Sequence, residues 1–161
     1  MSFRPLSFRG FTLIELMVVI AIIGVLATMA TPMVQLARVR ADEAELRTAL
    51  RQIRSAVDDY KKAWDEGRIE KKTGATGYPP SLDVLVNGVT DVKQPSDVKI
   101  YFLRRVPRDP FHTDKSTPAE QTWGLRSYAS PPDEPAPGAD VFDVYSLSGR
   151  TGLNGIAYRN W

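Results

Sequence analysis

The chain begins with a long apolar stretch that carries almost no charge. No charged residue occurs in the 22 residues 16–37, which follow Glu15 and precede Arg38. A helix needs about 20 predominantly apolar residues to cross a bilayer. We therefore predict one membrane-spanning helix near the N-terminus.

The pattern becomes amphipathic in the second half of the same helix. Apolar residues recur there at steps of three and four, as one buried helix face requires: Leu46, Ala49, Leu50, Ile53, Val57, Tyr60 and Trp64. Charged residues occupy the other positions. They are most simply a solvated face, although they could also form contacts between subunits: Asp42, Glu43, Glu45, Arg47, Arg51, Arg54, Asp58 and Lys61. The helix is predicted to continue to about Gly67. Its first half would pack in lipid or among copies of itself, and its second half on the chain's own globular region.

Pro32 lies inside the predicted helix. A proline in a helix removes one backbone hydrogen bond and crowds the preceding turn. We expect a kink or a loosened segment at residues 28–32.

Glycine and proline become frequent after Gly67. A short helix is predicted between Pro79 and Gly88, and three strands at residues 122–130, 141–147 and 156–161. Short connections between these strands favour an antiparallel meander. The predicted fold class is α+β, with a long N-terminal helix packed on a small three-stranded antiparallel sheet.

The residues before the apolar stretch predict its orientation. Arg4 and Arg9 precede it, and no acidic residue does so before Glu15. The positive-inside rule then places the leader in the cytoplasm and the C-terminal region across the membrane. An ordinary cleaved signal peptide is the alternative, but no A-x-A pattern follows the apolar core and Glu15 interrupts its start.

Glu15 permits two interpretations. Either its carboxylate extends to the lipid headgroups, or the carboxylate pairs with a positively charged group within the membrane. A charge at the centre of a spanning helix costs about 2.5–3.5 kcal/mol. The eleven Leu, Ile, Val and Phe residues of 11–26 contribute roughly −3 to −7 kcal/mol, so the segment still inserts.

The sequence Gly10-Phe11-Thr12-Leu13-Ile14-Glu15, followed by an apolar helix, resembles the processing signature of type IV pilins and of the pseudopilins of type II secretion. The resemblance implies cleavage by the prepilin peptidase after Gly10 and N-methylation of Phe11. It also implies that Glu15 pairs with the terminal amine of a neighbouring subunit during assembly, and that the helix melts locally at Pro32 in the filament.

Patches of the C-terminal region resemble the major pseudopilin of type II secretion, the general secretion pathway protein G family: Gly77-Tyr78-Pro79, residues 106–111, Trp123-Gly124 with Tyr128, and residues 143–147. This implies a cleaved leader at 1–10, a transmembrane and filament-core segment at 11–37, an amphipathic segment at 38–66 and a periplasmic globular region at 67–161. The implied location is the inner membrane, crossed once, and then a periplasmic filament.

Composition limits the chemistry of the chain. Loss of Arg4 and Arg9 with the leader leaves 19 basic residues against 19 acidic ones, so no nucleic-acid binding driven by net charge is expected. The chain has no cysteine and a single histidine, His112, which excludes thiolate and two-histidine metal sites. No hydrolase or phosphate-loop motif occurs, so an enzyme is not expected.

Calcium is the one cofactor that the resemblance raises, because the loop between the last two strands commonly binds it in that family. Here residues 148–155 contain no Asp or Glu and include Arg150. Calcium prefers carboxylate and carbonyl oxygens; Ser146, Ser148 and Asn154 would be the remaining side-chain ligands. We expect no calcium site of the family type, and hydrogen bonds with packing of Leu153 and Ile156 to order the loop instead.

Three functions are considered. The first is a structural subunit of the periplasmic pseudopilus, with other copies of itself, minor pseudopilins, the prepilin peptidase, an inner-membrane assembly platform and its ATPase as partners. The second is a subunit of a type IV pilus or competence filament, with a local basic patch at Arg104, Arg105 and Arg108 for DNA. The third is a membrane-anchored periplasmic enzyme.

Overall fold

A computed structural model describes residues 10–95 and 98–161, with the side chains of residues 29–31 left aside. The predicted leader lies outside the described residues except for Gly10. The chain divides into two units, Met1–Arg40 and Ala41–Trp161. Each unit is described by itself below.

The first helix, α1, spans Leu13–Asp65, 53 residues. Its end lies close to the predicted boundary at Gly67, where a glycine with a φ of 70° permits the backbone to turn away. Helical structure runs without interruption across Pro32. Loosening at that residue during assembly therefore stays a prediction about the filament.

The part of α1 in the second unit buries one apolar face, as predicted. The buried side chains recur at helical spacing: Leu46, Ala49, Leu50, Ile53, Ala56, Val57, Tyr60 and Ala63. They form one core with Leu82 and Leu85 of the second helix and with Trp123, Val144 and Tyr158 from the C-terminal region. The prediction of a solvated charged face was wrong at two positions. Glu43 is only 4% exposed, and Arg54 is partly buried and donates to the Asp143 carboxylate at 2.7 Å.

The second helix, α2, spans Leu82–Asn87 and ends at Gly88, whose φ of 73° favours glycine. It is followed by a two-residue antiparallel pair, β1 (Val89–Thr90) with β2 (Lys99–Ile100). The sequence did not predict this pair. Arg68 fixes the region by donating to the buried Asp91 carboxylate at 2.7 and 3.0 Å, which lowers the pKa of Asp91.

The C-terminal sheet has two strands where three were predicted. Strand β3 (Trp123–Arg126) pairs antiparallel with β4 (Asp143–Ser146), with Trp123 opposite Ser146 and Arg126 opposite Asp143. Both lie inside the predicted strands at 122–130 and 141–147.

The third predicted strand, at residues 156–161, was wrong. A 3₁₀ turn at Tyr158–Asn160 takes its place, and the only trace of pairing is an isolated bridge between Thr151 and Ala157. The reason is that the chain turns directly after this bridge: the Asn160 amide donates to the Ala157 carbonyl and the Trp161 amide to the Tyr158 carbonyl. The Tyr158 ring stacks on Phe111 with centroids 4.0 Å apart, and this packing fixes the turn in the core.

Candidate assembly segment and C-terminal loop

The predicted processing bond lies on exposed, non-helical backbone. Gly10 and Phe11 both precede α1, which begins at Leu13, and Phe11 is 84% exposed. A peptidase needs access to an extended backbone that is not engaged in helix hydrogen bonds. The Gly10–Phe11 bond meets that condition in the chain as described.

Thr12 and Glu15 together begin the helix. The Glu15 amide donates to the Thr12 hydroxyl at 3.3 Å, and the Leu16 amide donates to the Thr12 carbonyl at 3.2 Å. This places Thr12 at the N-cap and Glu15 three residues later, the spacing of a capping box. The sequence analysis did not identify Thr12, although the T-x-x-E pattern before an apolar run is its signal.

The Glu15 carboxylate therefore lies in the first turn of α1, where the helix dipole favours negative charge. Its side chain is exposed, and none of the ion pairs found among the described residues includes it. The chain by itself supplies no positive partner for this carboxylate within the part that the structure describes.

The apolar half of α1 is uncovered on every side. Its large apolar residues are at least 39% exposed wherever the structure describes their side chains, from Phe11 to Leu36. By length and composition this helix is apolar enough to cross a membrane. Contiguous apolar surface of this extent indicates contact with lipid or with other molecules. Glu15 and Pro32 belong to this half of the helix, and Gly10 and Phe11 lie just before its first residue.

The loop after β4 is tied to α1 by Glu43. One carboxylate oxygen of Glu43 accepts hydrogen bonds from the Leu153 amide at 2.6 Å and from the Tyr158 hydroxyl at 3.1 Å. Burial, and then the hydrogen bond to Glu43, raises the pKa of Tyr158 above its usual value. The sequence analysis missed Glu43 because only a contact distant in sequence distinguishes it from its charged neighbours.

The expected ordering of this loop was right in part. Internal hydrogen bonds do hold it, since the Ser148 amide donates to the Ser146 hydroxyl and the Ile156 amide to the Asn154 side chain. The expected packing of Leu153 and Ile156 was wrong, because these side chains are 51% and 48% exposed. Among the described residues there is no group of three or more His, Asp or Glu that could hold a metal ion.

His112 belongs to a polar turn. The Thr117 hydroxyl donates to Asp114 at 3.0 Å, so the Nε2 of His112, 3.3 Å from that hydroxyl, acts as the donor to it. The Ser116 hydroxyl and amide also donate to Asp114, and with Thr117 they lower the pKa of Asp114 to about 2. The histidine is thus not placed to take a proton from either hydroxyl.

Comparisons with known proteins agree with the signature at the N-terminus. The family model of the prokaryotic N-terminal methylation motif matches residues 6–31. The type II secretion system core protein G of Klebsiella michiganensis is 30% identical over 141 residues, 85% of this chain and 92% of that protein. That of Pseudomonas aeruginosa is 33% identical over 146 residues, 86% and 81% of the two chains. This chain belongs to the type II secretion system core protein G family.

A more distant type of filament protein also matches. The type IV major fimbrial protein FimA of Dichelobacter nodosus is 40% identical over 86 residues, which cover 45% of this chain and 50% of that protein. No solved structure matches the chain. With the long helix and small antiparallel sheets, this relative confirms the α+β, type IV pilin-like fold for this member of the core protein G family.

The methylation motif covers Gly10, Phe11 and Glu15 and ends one residue before Pro32. In this chain the motif therefore overlaps the exposed apolar part of α1. The curated relatives are named as secretion-system proteins, and the chain is a membrane-anchored pseudopilin of that system.

Proposed function

We propose that the mature chain, beginning at Phe11, is a structural subunit of a periplasmic pseudopilus that helps to drive folded proteins across the outer membrane. One observation carries the proposal: an N-terminal methylation segment with exposed apolar side chains is joined to a unit that has its own buried core. The core residues of the globular unit all belong to that unit. The segment is therefore available for lipid before assembly and for other copies afterwards.

Glu15 gives specificity to the contact between copies of the chain in the filament. A carboxylate in a bilayer costs about 2.5–3.5 kcal/mol at the centre and less near the interface. Cleavage after Gly10 creates a positive amine on Phe11, four residues from Glu15, in every copy. Pairing of Glu15 with the amine of a neighbouring copy would compensate both charges. The filament then gains a contact that the lipid-bound subunit lacks.

The proposed partners act at processing, at the membrane and during filament assembly. The prepilin peptidase cleaves at Gly10 on the cytoplasmic side, with the globular unit in the periplasm and the apolar part of α1 crossing the inner membrane once. Minor pseudopilins join the filament, and an inner-membrane platform with its ATPase extracts subunits. The chain acts as a component of this assembly and not as an enzyme, in line with the structural role of the His112 turn.

The test separates processing from assembly. Glu15→Ala is expected to leave cleavage after Gly10 and methylation of Phe11 intact, as measured by mass spectrometry of the mature chain. Filaments observed by electron microscopy should be absent or misaligned. Glu45→Ala removes another exposed carboxylate of the same helix and is the matched control, expected to assemble normally. Normal filaments from Glu15→Ala would overturn the proposal.

A type IV pilus or competence filament is the second candidate, supported by the match to FimA over 45% of this chain. The two functions differ in the phenotype of a deletion strain. Loss of secretion with normal surface filaments supports the pseudopilus. Loss of surface filaments, or salt-sensitive DNA binding by the purified chain, supports the pilus.

A further inference from the structure

The loop after β4 offers few free side-chain oxygens to a cation. The three side chains that would remain as calcium ligands are already engaged within the protein. Ser146 donates to Asp109 at 2.5 Å and accepts from the Ser148 amide at 3.1 Å. Ser148 accepts from the Arg150 amide at 3.3 Å, and Asn154 accepts from the Ile156 amide at 3.0 Å.

The charge of the loop also opposes a divalent cation. Its one charged side chain is Arg150, whose guanidinium lies 5.2 Å from the Phe111 ring centroid. Calcium sites gain affinity from carboxylate ligands. The loop's own residues supply no carboxylate and carry one positive charge, which does not fit a calcium ion of the family type.

Glu43 supplies the negative charge from the other side of the contact. It belongs to α1 and is 4% exposed, yet it bonds to Leu153 and Tyr158, 110 and 115 residues later in the chain. Its other oxygen is 3.7 Å from the Arg47 guanidinium. A buried carboxylate is tolerated when hydrogen bonds satisfy it, and bonds to an ionised acceptor are the stronger kind.

The Leu153 amide is the attachment point of the loop tip. The Leu153 side chain is 51% exposed, so apolar burial contributes little there. The hydrogen bond from this amide to Glu43, at 2.6 Å, joins the loop tip to the helix. Tyr158, on the same carboxylate oxygen, is fixed by its stacking on Phe111.

We propose that Glu43 is the positioning residue of the loop at 148–155, and that this internal carboxylate orders the loop without calcium. The negative charge that joins helix and loop is part of the protein, so the loop is ordered in any concentration of calcium. This inference concerns the globular unit alone and holds whether the filament is a pseudopilus or a pilus.

The experiment measures amide hydrogen exchange on the full mature chain in detergent micelles. The wild type is compared with calcium in millimolar excess and with a chelator. Glu43→Gln and Glu43→Ala are compared with Glu45→Gln, which removes an exposed carboxylate two residues along the same helix. The amides of β3 and β4 serve as the internal reference for the folded core.

Exchange of the Leu153 amide is expected to be the same with calcium and with chelator. It should be at least tenfold faster in Glu43→Ala and severalfold faster in Glu43→Gln, which keeps an uncharged acceptor, and unchanged in Glu45→Gln. The reference amides should stay protected, which distinguishes a loosened loop from general destabilisation. If Glu43→Ala does not fold, the wild-type comparison and Glu43→Gln still decide the matter.

Two results would overturn the inference. One is a tenfold gain in Leu153 protection when calcium is added to the wild type, which would mean that an ion orders the loop. The other is wild-type exchange at Leu153 in both Glu43 variants.

Discussion

The two halves of α1 can be tested with the same substitution at two positions. Ile53 is 0% exposed in the core of the globular unit, whereas Ile22 is 54% exposed in the apolar half. Ile→Ala removes the same atoms at both. Ile53→Ala should destabilise the globular unit, and Ile22→Ala should leave its stability unchanged.

The magnitude follows from the burial. Each buried methylene contributes about 0.8 kcal/mol, so the three carbons removed at Ile53 account for about 2.4 kcal/mol. The cavity that remains among rigid neighbours brings the loss to about 3–4 kcal/mol. For a unit of this size about 4 °C of Tm corresponds to 1 kcal/mol, which gives a fall in Tm of about 12–16 °C. Ile22→Ala loses only about 0.3–0.6 kcal/mol of membrane insertion.

The assay is thermal unfolding of the full mature chain in detergent, followed by tryptophan fluorescence. Trp64, Trp123 and Trp161 all lie in the second unit, so the signal reports on the globular unit alone. A fall of less than about 3 °C for Ile53→Ala would refute the reasoning. An equal fall for Ile22→Ala would refute the division of the helix.

Two further predictions concern the sheet and the acid limit of stability. Gly124→Ala should destabilise the β3–β4 pair by about 1–3 kcal/mol, because an added Cβ would meet the Tyr145 ring at 2.3 Å; denaturant unfolding measures this, and the double variant with Tyr145→Ala should recover part of the loss. Because hydrogen bonds from Ser116 and Thr117 lower the pKa of Asp114 to about 2, its contribution to stability is complete above the unfolded pKa near 4 and is lost as pH falls toward 2. Asp114→Asn should therefore be less stable than the wild type at pH 6 and nearly equal to it at pH 2 in urea unfolding, and an unchanged difference across this range would contradict the assignment.

Much of the functional segment was predictable from the sequence. The leader boundary at Gly10, the position of Glu15 and the uncharged span depend on residues close together in the chain, and the methylation motif matches there. The apolar stripe of α1 was also predictable, because the periodicity of a helix is a local property. Thr12 was not predicted, although its T-x-x-E capping pattern is local in the sequence as well.

The C-terminal region was decided by contacts between residues far apart. The apolar residues at 156–161 are compatible with a strand, but the backbone amides of Asn160 and Trp161 donate to carbonyls three residues earlier and the Tyr158 ring stacks on Phe111. Glu43 likewise has the same local surroundings as Glu45 in sequence. Only the fold turns one carboxylate inward and leaves the other in solvent.

The sequence by itself determined a methylation motif and an apolar helix long enough to cross a membrane, and it predicts processing at Gly10, methylation at Phe11 and an assembly role for Glu15. These features require only spacing along one chain. The tertiary structure decided how the C-terminal loop is held, because the carboxylate of Glu43 meets the Leu153 amide across 110 residues. A hydrogen bond depends on distance in space, and no local pattern records which distant residues the fold brings within reach.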